Sequence, residues 1–181
     1  MIKDEHPLIA KYRDFSPISK KLSSKAKKVF PGGDTRASAH YTPYPLSISK
    51  ASGCVLTDVD GNQILDFMNN FTSLIHGHAH PKVVGSVQKQ ISLGSAYAAP
   101  SKNQIELAEI ITERIASVEQ MRFTSSGTES TTMAIRCSRA STGRQKIMKM
   151  EGGYHGSYEM AEVSLAPFPK NRGDLEEPNS L

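Results

Sequence analysis

Three short segments carry side chains whose types and spacing suit chemistry. Ser125-Ser126-Gly127-Thr128-Glu129-Ser130 joins the end of an expected strand to the start of an expected helix. In open α/β sheets the ligand crevice lies beyond the carboxyl ends of the strands. A helix N-terminus there offers unpaired N–H groups and a partial positive charge, which suits a phosphate. Gly127 admits close backbone approach, and the Ser126 and Thr128 hydroxyls add donors. The plainer alternative is that Ser126 or Thr128 only caps the helix. The second segment, Glu151-Gly152-Gly153-Tyr154-His155-Gly156-Ser157, follows the next expected strand and shares its edge with the first. Its glycines leave Tyr154 and His155 open to a ligand, and an aromatic face beside a phosphate cradle fits a planar phosphorylated ring. Alternatively it is an ordinary glycine-rich loop. The third, His76-Gly77-His78-Ala79-His80-Pro81, sets three histidines at alternate positions, which raises a metal-dependent hydrolase. A metal site also wants further ligands, and downstream only His155 remains. Loop plus helix entry at Pro81 is the competing reading. No Walker A or dinucleotide glycine pattern exists, which counts against ATP and NAD.

These segments need elements to position them. Ile18, Leu22, Ala26 and Phe30 recur every four residues and predict a helix with one buried stripe and a lysine-rich wet face. Pro31-Gly32-Gly33-Asp34-Thr35-Arg36 is then a turn. Cys54–Thr57 and Gln63–Phe67 flank Asp58-Val59-Asp60-Gly61-Asn62 as a hairpin. Asn69 to His80 keeps neither period. From Pro81 the pattern alternates. Pro81 opens a helix with Val84, Val87 and Ile91 on one face. Ser101-Lys102-Asn103-Gln104 reads as a capping box for a helix through Ile115, with Leu107 and Ile111 in line. Gln120–Thr124 is a strand, Thr128–Ser141 a helix ended by Gly143, and Lys146–Met150 the next strand. Such alternation implies an α/β fold with right-handed crossovers in a parallel sheet, here incomplete. Lys170–Leu181 reads as polar loop.

Composition narrows the class. The 181 residues are 38% hydrophobic and 22% charged, with a net charge of +4, which suits a packed domain or part of one. No apolar run approaches the roughly 18 residues of a membrane span. Acids at Asp4 and Glu5 stand where a signal peptide would be basic and then apolar, so a cytoplasmic location is expected. Cys54 and Cys137 lie within apolar patterns and are expected as buried thiols. Residues 1–50 hold ten basic and four acidic side chains, but the excess is nearly all Lys on one helix face and Trp is absent. That disfavours a nucleic-acid partner.

Taken in order, Pro31-Gly32-Gly33, Asp58-Val59-Asp60-Gly61-Asn62, Gly77-His78-Ala79-His80-Pro81, Ser126-Gly127-Thr128-Glu129 and Gly152-Gly153-Tyr154-His155-Gly156 closely resemble the N-terminal half of class III aminotransferases. These are pyridoxal-phosphate (PLP, pyridoxal 5'-phosphate) enzymes of fold type I. The nearest branch resembles glutamate-1-semialdehyde aminomutases and β-amino-acid or D-phenylglycine-type transaminases. The likeness runs from about Lys27 to Ala161. It implies that Ser126, Gly127 and Thr128 hold the cofactor phosphate and that Tyr154 stacks on the pyridine ring, with His155 and Gly156 beside it. It makes the Gly-His-x-His-Pro run a structural signature, so no metal is expected. It places Arg36 on a substrate carboxylate, where the spacing looks more like the β-transaminases, and Thr72 and Ser73 in the substrate pocket. It divides the chain into an N-terminal segment, 1–75, and the first part of the PLP-binding large domain, 76–181, ending in a lid-like loop.

The family's Schiff-base lysine, and the aspartate that keeps the pyridine nitrogen protonated, belong to a later part of the fold, so no catalytic residue is assigned within this chain. Lys146, Lys149 and Lys170 are not given that role. The expectation is an amino-group transfer between an amino acid or amine and a keto acid or aldehyde, in a homodimer. The remainder of the enzyme would be supplied by another chain or lost by cleavage near the lid. An aminomutase is the alternative within the family, and a non-catalytic remnant or interaction partner the alternative outside it.

Overall fold

The computed structural model describes residues 6–36 and 39–165. Lys170–Leu181, expected as the lid-like loop, lies outside the described residues. The chain divides into two compact units, Met1–Ala98 and Ala99–Leu181.

The first unit opens with two short helices, α1 (Pro7–Phe15) and α2 (Pro17–Ala26), each with proline in its first turn. Proline is suited there because its fixed φ matches the helix and its missing N–H has no helical partner. A single 3-10 turn at Pro31–Gly33 follows, with Gly32 at φ +72°. Then comes an antiparallel sheet of three strands, β1 (Ile48–Ser52), β2 (Val55–Asp58) and β3 (Gln63–Leu65), in that order. Leu56 of β2 sits opposite Ala51 on one side and Ile64 on the other. The expected β2–β3 hairpin forms. β1 carries no apolar alternation (Ile-Ser-Lys-Ala-Ser) and was not legible as a strand.

The hairpin turn is built on carboxylates. Asp58 is 2% exposed, and its side chain accepts from the Asp60 N–H (3.0 Å), the Asn62 N–H (2.7 Å) and Asn62 Nδ2 (2.9 Å). Asp60 points the other way and accepts from the Ile18 N–H (2.6 Å), the Ser19 N–H (3.0 Å) and the Ser19 hydroxyl (2.8 Å). Those are donors in the first turn of α2, so Asp60 acts as a remote N-cap that fastens helix to hairpin. Tyr12 donates to the Tyr44 carbonyl at 2.7 Å, and the two rings lie 5.2 Å apart. Because α2 docks through this polar face, its expected apolar stripe is not buried. Ser16 and Ser19 are fully covered, while Ile18 and Phe30 stay 48% and 43% exposed.

The unit continues through a single turn, α3 (Asn69–Thr72), and the long helix α4 (Pro81–Leu93). The second unit holds α5 (Lys102–Arg114), α6 (Gly127–Thr142) and α7 (Glu159–Glu162). The capping box forms as expected: the Ser101 side chain faces the Gln104 backbone, and the Ser101 N–H donates to Gln104 Oε1 at 3.2 Å. Gly143, in the left-handed region at φ 68°, closes α6. Gln120–Thr124 and Lys146–Met150, expected as strands, join no ladder among the described residues. A strand exists only with a backbone partner, and neither segment has one here. Val84, Val87, Ile91, Leu107 and Ile110 remain substantially exposed on their helices. Both cysteines are free and exposed, against expectation, because Cys54 sits in the β1–β2 turn and Cys137 on an open face of α6. Among the described residues no helix is long and apolar enough to cross a membrane.

Asp58→Ala leaves the half-buried Asp60 and Asn62 amides without their acceptor, while Asn62 Nδ2 keeps the Phe15 carbonyl, and is expected to cost about 1–3 kcal/mol, read as a lower urea midpoint at unchanged slope. The Asp60 carboxyl is a milder, pH-dependent case. Burial works against its charge, but the two backbone donors and the Ser19 hydroxyl outweigh it and hold it below the ordinary carboxylate range. Its contribution is therefore intact above about pH 4 and lost as pH falls further. Amide exchange at Ile18 and Ser19 that rises below that pH, and not above it, is the expected result.

Candidate functional site

The Ser-Gly-Thr segment lies at the N-terminus of α6, a helix of 16 residues. Ser126 is the N-cap, and its hydroxyl oxygen accepts from the Glu129 N–H at 3.2 Å. Glu129 turns its carboxylate back onto the Ser125 N–H at 2.7 Å. The capping alternative is thus realised, and it leaves the next two donors free. The amides of Gly127 and Thr128, the first two of the helix, have no acceptor among the described residues. A Cβ placed on Gly127 meets nothing within 4 Å, so the first residue of the helix is not crowded on that side. Two free amides and the helix dipole fit a phosphate group.

The second segment folds against the same turn. Gly156 has φ +112°, and a Cβ there would lie 2.8 Å from Thr128 Cα and 2.9 Å from its Oγ1. Only glycine permits that approach. It brings the Ser157 N–H to 3.1 Å from Thr128 Oγ1, and the Thr131 hydroxyl donates to the His155 carbonyl at 2.7 Å. Gly156 is buried, while Tyr154 is 64% exposed, its hydroxyl 3.3 Å from Ser157 Oγ. The far side of the loop is closed by the Gly152 N–H on the Ser164 carbonyl (2.8 Å) and by Lys149 Nζ on the Ala161 carbonyl (3.2 Å). Lys149 is thereby a structural cation of this loop. The structure therefore brings Ser126, Gly127, Thr128, His155 and Gly156 together, with Tyr154 at the edge. Thr131, Ser157 and Glu129 complete the arrangement and were not singled out in the sequence. Glu129, three residues after Ser126, carried a legible capping-box signal. Thr131 and Ser157 carried none, since their roles depend on the loop docking.

The remaining sequence-predicted residues lie in the first unit. Arg36 is exposed, and its backbone N–H donates to Asp34 Oδ1 at 2.9 Å. Thr72 ends α3, and Ser73 follows it. All four residues of α3 are left-handed without being glycine: Asn69 (φ 48°), Asn70 (46°), Phe71 (55°) and Thr72 (67°). Each such residue costs on the order of 1 kcal/mol. The following segment, with Ser73, His76 and His80, and the α4 residues Val83, Val84 and Val87 line a largely apolar cavity of about 460 Å³. The three histidines do separate work. His78 Nε2 lies 2.7 Å from Asp66 Oδ2, and its backbone bridges Gly53 in both directions. His80 precedes α4, and its ring centroid is 5.5 Å from that of His76. Among the described residues no group of three His, Cys, Asp or Glu side chains is arranged around a common metal position.

Comparison with known proteins places this geometry. Residues 36–171 match the family model described as aminotransferase class-III. The glutamate-1-semialdehyde 2,1-aminomutase of Methanothermobacter thermautotrophicus is 45% identical over 145 residues, covering 80% of this chain and 34% of that protein. A solved omega-transaminase from Sphaerobacter thermophilus is 49% identical with a TM-score of 0.78, over 81% of this chain and 33% of that one. A solved transaminase with PLP bound is 38% identical with a TM-score of 0.84, over 92% and 38%. The chain thus spans about a third of the length of the curated relatives it matches.

Gly156→Ala is expected to separate the loop from α6. Amide exchange at Ser157 should rise, while the α5 amides stay unchanged. Ser126→Ala removes only the cap and should cost about 1 kcal/mol in an unfolding titration.

Proposed function

This chain belongs to the class-III aminotransferase family, and on that premise we propose that it is the phosphate-binding and ring-stacking part of a PLP-dependent transaminase. The observation that carries the reading is the pair of unpartnered amides at Gly127 and Thr128, flanked by the docked Tyr154–Ser157 loop. When bound, PLP supplies the electron sink that lets an amino group leave one carbon and join another. The work of this chain is to place that group. The Gly127 and Thr128 amides and the Thr128 hydroxyl hold the phosphate, and the α6 dipole favours its charge. Tyr154 offers its exposed face to the ring, and His155 and Gly156 fix that face at one distance from the phosphate. Arg36 is assigned to a substrate carboxylate, and Thr72 and Ser73 to the substrate's other contacts. The division at 75/76 into a substrate-side segment and a cofactor-side segment belongs to the same proposal.

The substrates are an amino acid or amine as donor and a keto acid or aldehyde as acceptor. The bond-making lysine and the partner of the pyridine nitrogen are assigned to the remaining two-thirds of such a fold. That remainder is also assigned to cover the exposed apolar faces of α4 and α5 and to flank the unpaired segments 120–124 and 146–150. A homodimer in the cytoplasm is the expected setting. The 45% identity to an aminomutase favours a second reading, in which the amino group moves within one molecule. Turnover that needs an added keto acid supports the transaminase, and turnover of a single substrate alone supports the mutase.

The direct test is a denaturing intact-mass spectrum after borohydride reduction, which fixes any pyridoxal–lysine bond. Cofactor mass on a polypeptide copurifying with this chain, or continuous with it, supports the proposal. A lone 19.8 kDa species without adduct identifies a non-catalytic remnant. Gly127→Asp supplies the residue-level test in the holoenzyme. A side chain has room there, so the fold is retained, but a carboxylate enters the phosphate position. PLP affinity is expected to fall at least ~10-fold, about 1.4 kcal/mol, and unchanged affinity sinks the assignment.

A further inference from the structure

Left-handed backbone is concentrated in one stretch of the first unit. Besides the four residues of α3, Gly77 has φ +75° and Ala79 φ +50°. A run of non-glycine residues in this region persists only where the surroundings over-determine it. One side chain supplies much of that determination. Asp66 Oδ1 accepts from the Met68 N–H and the Asn69 N–H, both at 2.9 Å, at the entrance to α3. Its Oδ2 lies 2.7 Å from His78 Nε2, between Gly77 and Ala79 at the far end of the stretch. The Asp66 side chain is 7% exposed and that of His78 21%, so the pair is shielded from water. His78 is in turn anchored to the sheet, because its N–H donates to the Gly53 carbonyl (2.8 Å) and its carbonyl accepts from the Gly53 N–H (2.9 Å). Gly77 lies so close to Gly53 that a Cβ on it would stand 2.9 Å from the Gly53 carbonyl oxygen. The segment 67–77 is therefore a loop tied at both ends by a single carboxylate. Thr72 and Ser73 lie on it, and its residues Ser73 to Gly77 form one side of the 460 Å³ cavity, with α4 on the other.

We propose that Asp66 and His78 form a positioning pair that holds the 67–77 loop in its left-handed path and thereby sets how tightly the substrate is gripped at Thr72 and Ser73. The pair touches no reacting atom and acts through the loop. The substrate half of the statement rests on the transaminase reading, and the loop half stands without it.

The test uses the holoenzyme in three variants. Asp66→Ala removes both tethers. Asp66→Asn keeps an oxygen acceptor for the Met68 and Asn69 amides. His78→Phe keeps a ring but ends the contact to Asp66. Amide exchange across 69–77 should accelerate at least ~10-fold in Asp66→Ala and His78→Phe, with β2 and β3 unchanged, and return most of the way in Asp66→Asn. Steady-state kinetics should show KM for the amino substrate raised at least ~10-fold in the first two variants, with kcat changed less than about 2-fold. Exchange that stays slow at 69–77, or that rises equally in the sheet, overturns the pairing. A loosened loop with unchanged KM overturns the substrate half. If the parent protein itself does not transaminate, the functional reading falls, and the exchange ratio alone decides whether the pair holds the loop.

Discussion

Everything at the proposed cofactor site depends on a side chain that is not there. Gly156 lies so near Thr128 that a single methyl group would strike the helix backbone, and that contact turns two loops into one surface. A phosphate at a helix N-terminus needs only amides and a dipole, which many helices offer. A planar ring needs a second wall at a fixed distance from that phosphate. The Ser157–Thr128 and Thr131–His155 hydrogen bonds fix the loop against the helix, and they form only because Gly156 admits the approach.

The first unit is organised by charge. Asp58, Asp60 and Asp66 each collect two or three donors, mostly backbone N–H groups, and each closes a different joint: the hairpin turn, the docking of α2 and the entry to α3. The Asp66 carboxyl is held below its ordinary range, first by its bond to His78 and then by the Asn69 and Met68 amides. Short elements with few apolar contacts gain definition this way, since a charge-assisted hydrogen bond is stronger and more directional than a packed methyl.

Local elements were legible in the sequence because their signals are local. Pro81, the Ser101–Gln104 box and Gly143 marked helix ends within a residue of where they fall, and the Asp-Gly turn marked the hairpin. The Ser126 cap was legible for the same reason, as a capping serine at the start of a helical pattern. Burial was not. The apolar stripe of α2 and both cysteines read as interior and are exposed, because burial is a property of what packs against a residue and not of its pattern. Likewise 120–124 and 146–150 have strand composition without strand partners. The Asp66–His78 pair joins residues twelve apart across an aperiodic stretch, where no spacing rule announces contact.

The makeup of the first unit's interior has a thermal consequence. Among the described residues its fully buried ones are Ile9, Tyr44, Ser16, Ser19 and Asp58, three of them polar or charged. Exposing apolar surface raises heat capacity and exposing polar surface lowers it. Unfolding this unit therefore carries a small heat-capacity change, and its stability curve bends little, so cooling weakens it far less than heating does. Any surface that comes to cover the bare faces of α4 adds apolar burial. It would change the curvature of that profile more than its height at room temperature, which makes calorimetry a more sensitive reporter of association than a melting point.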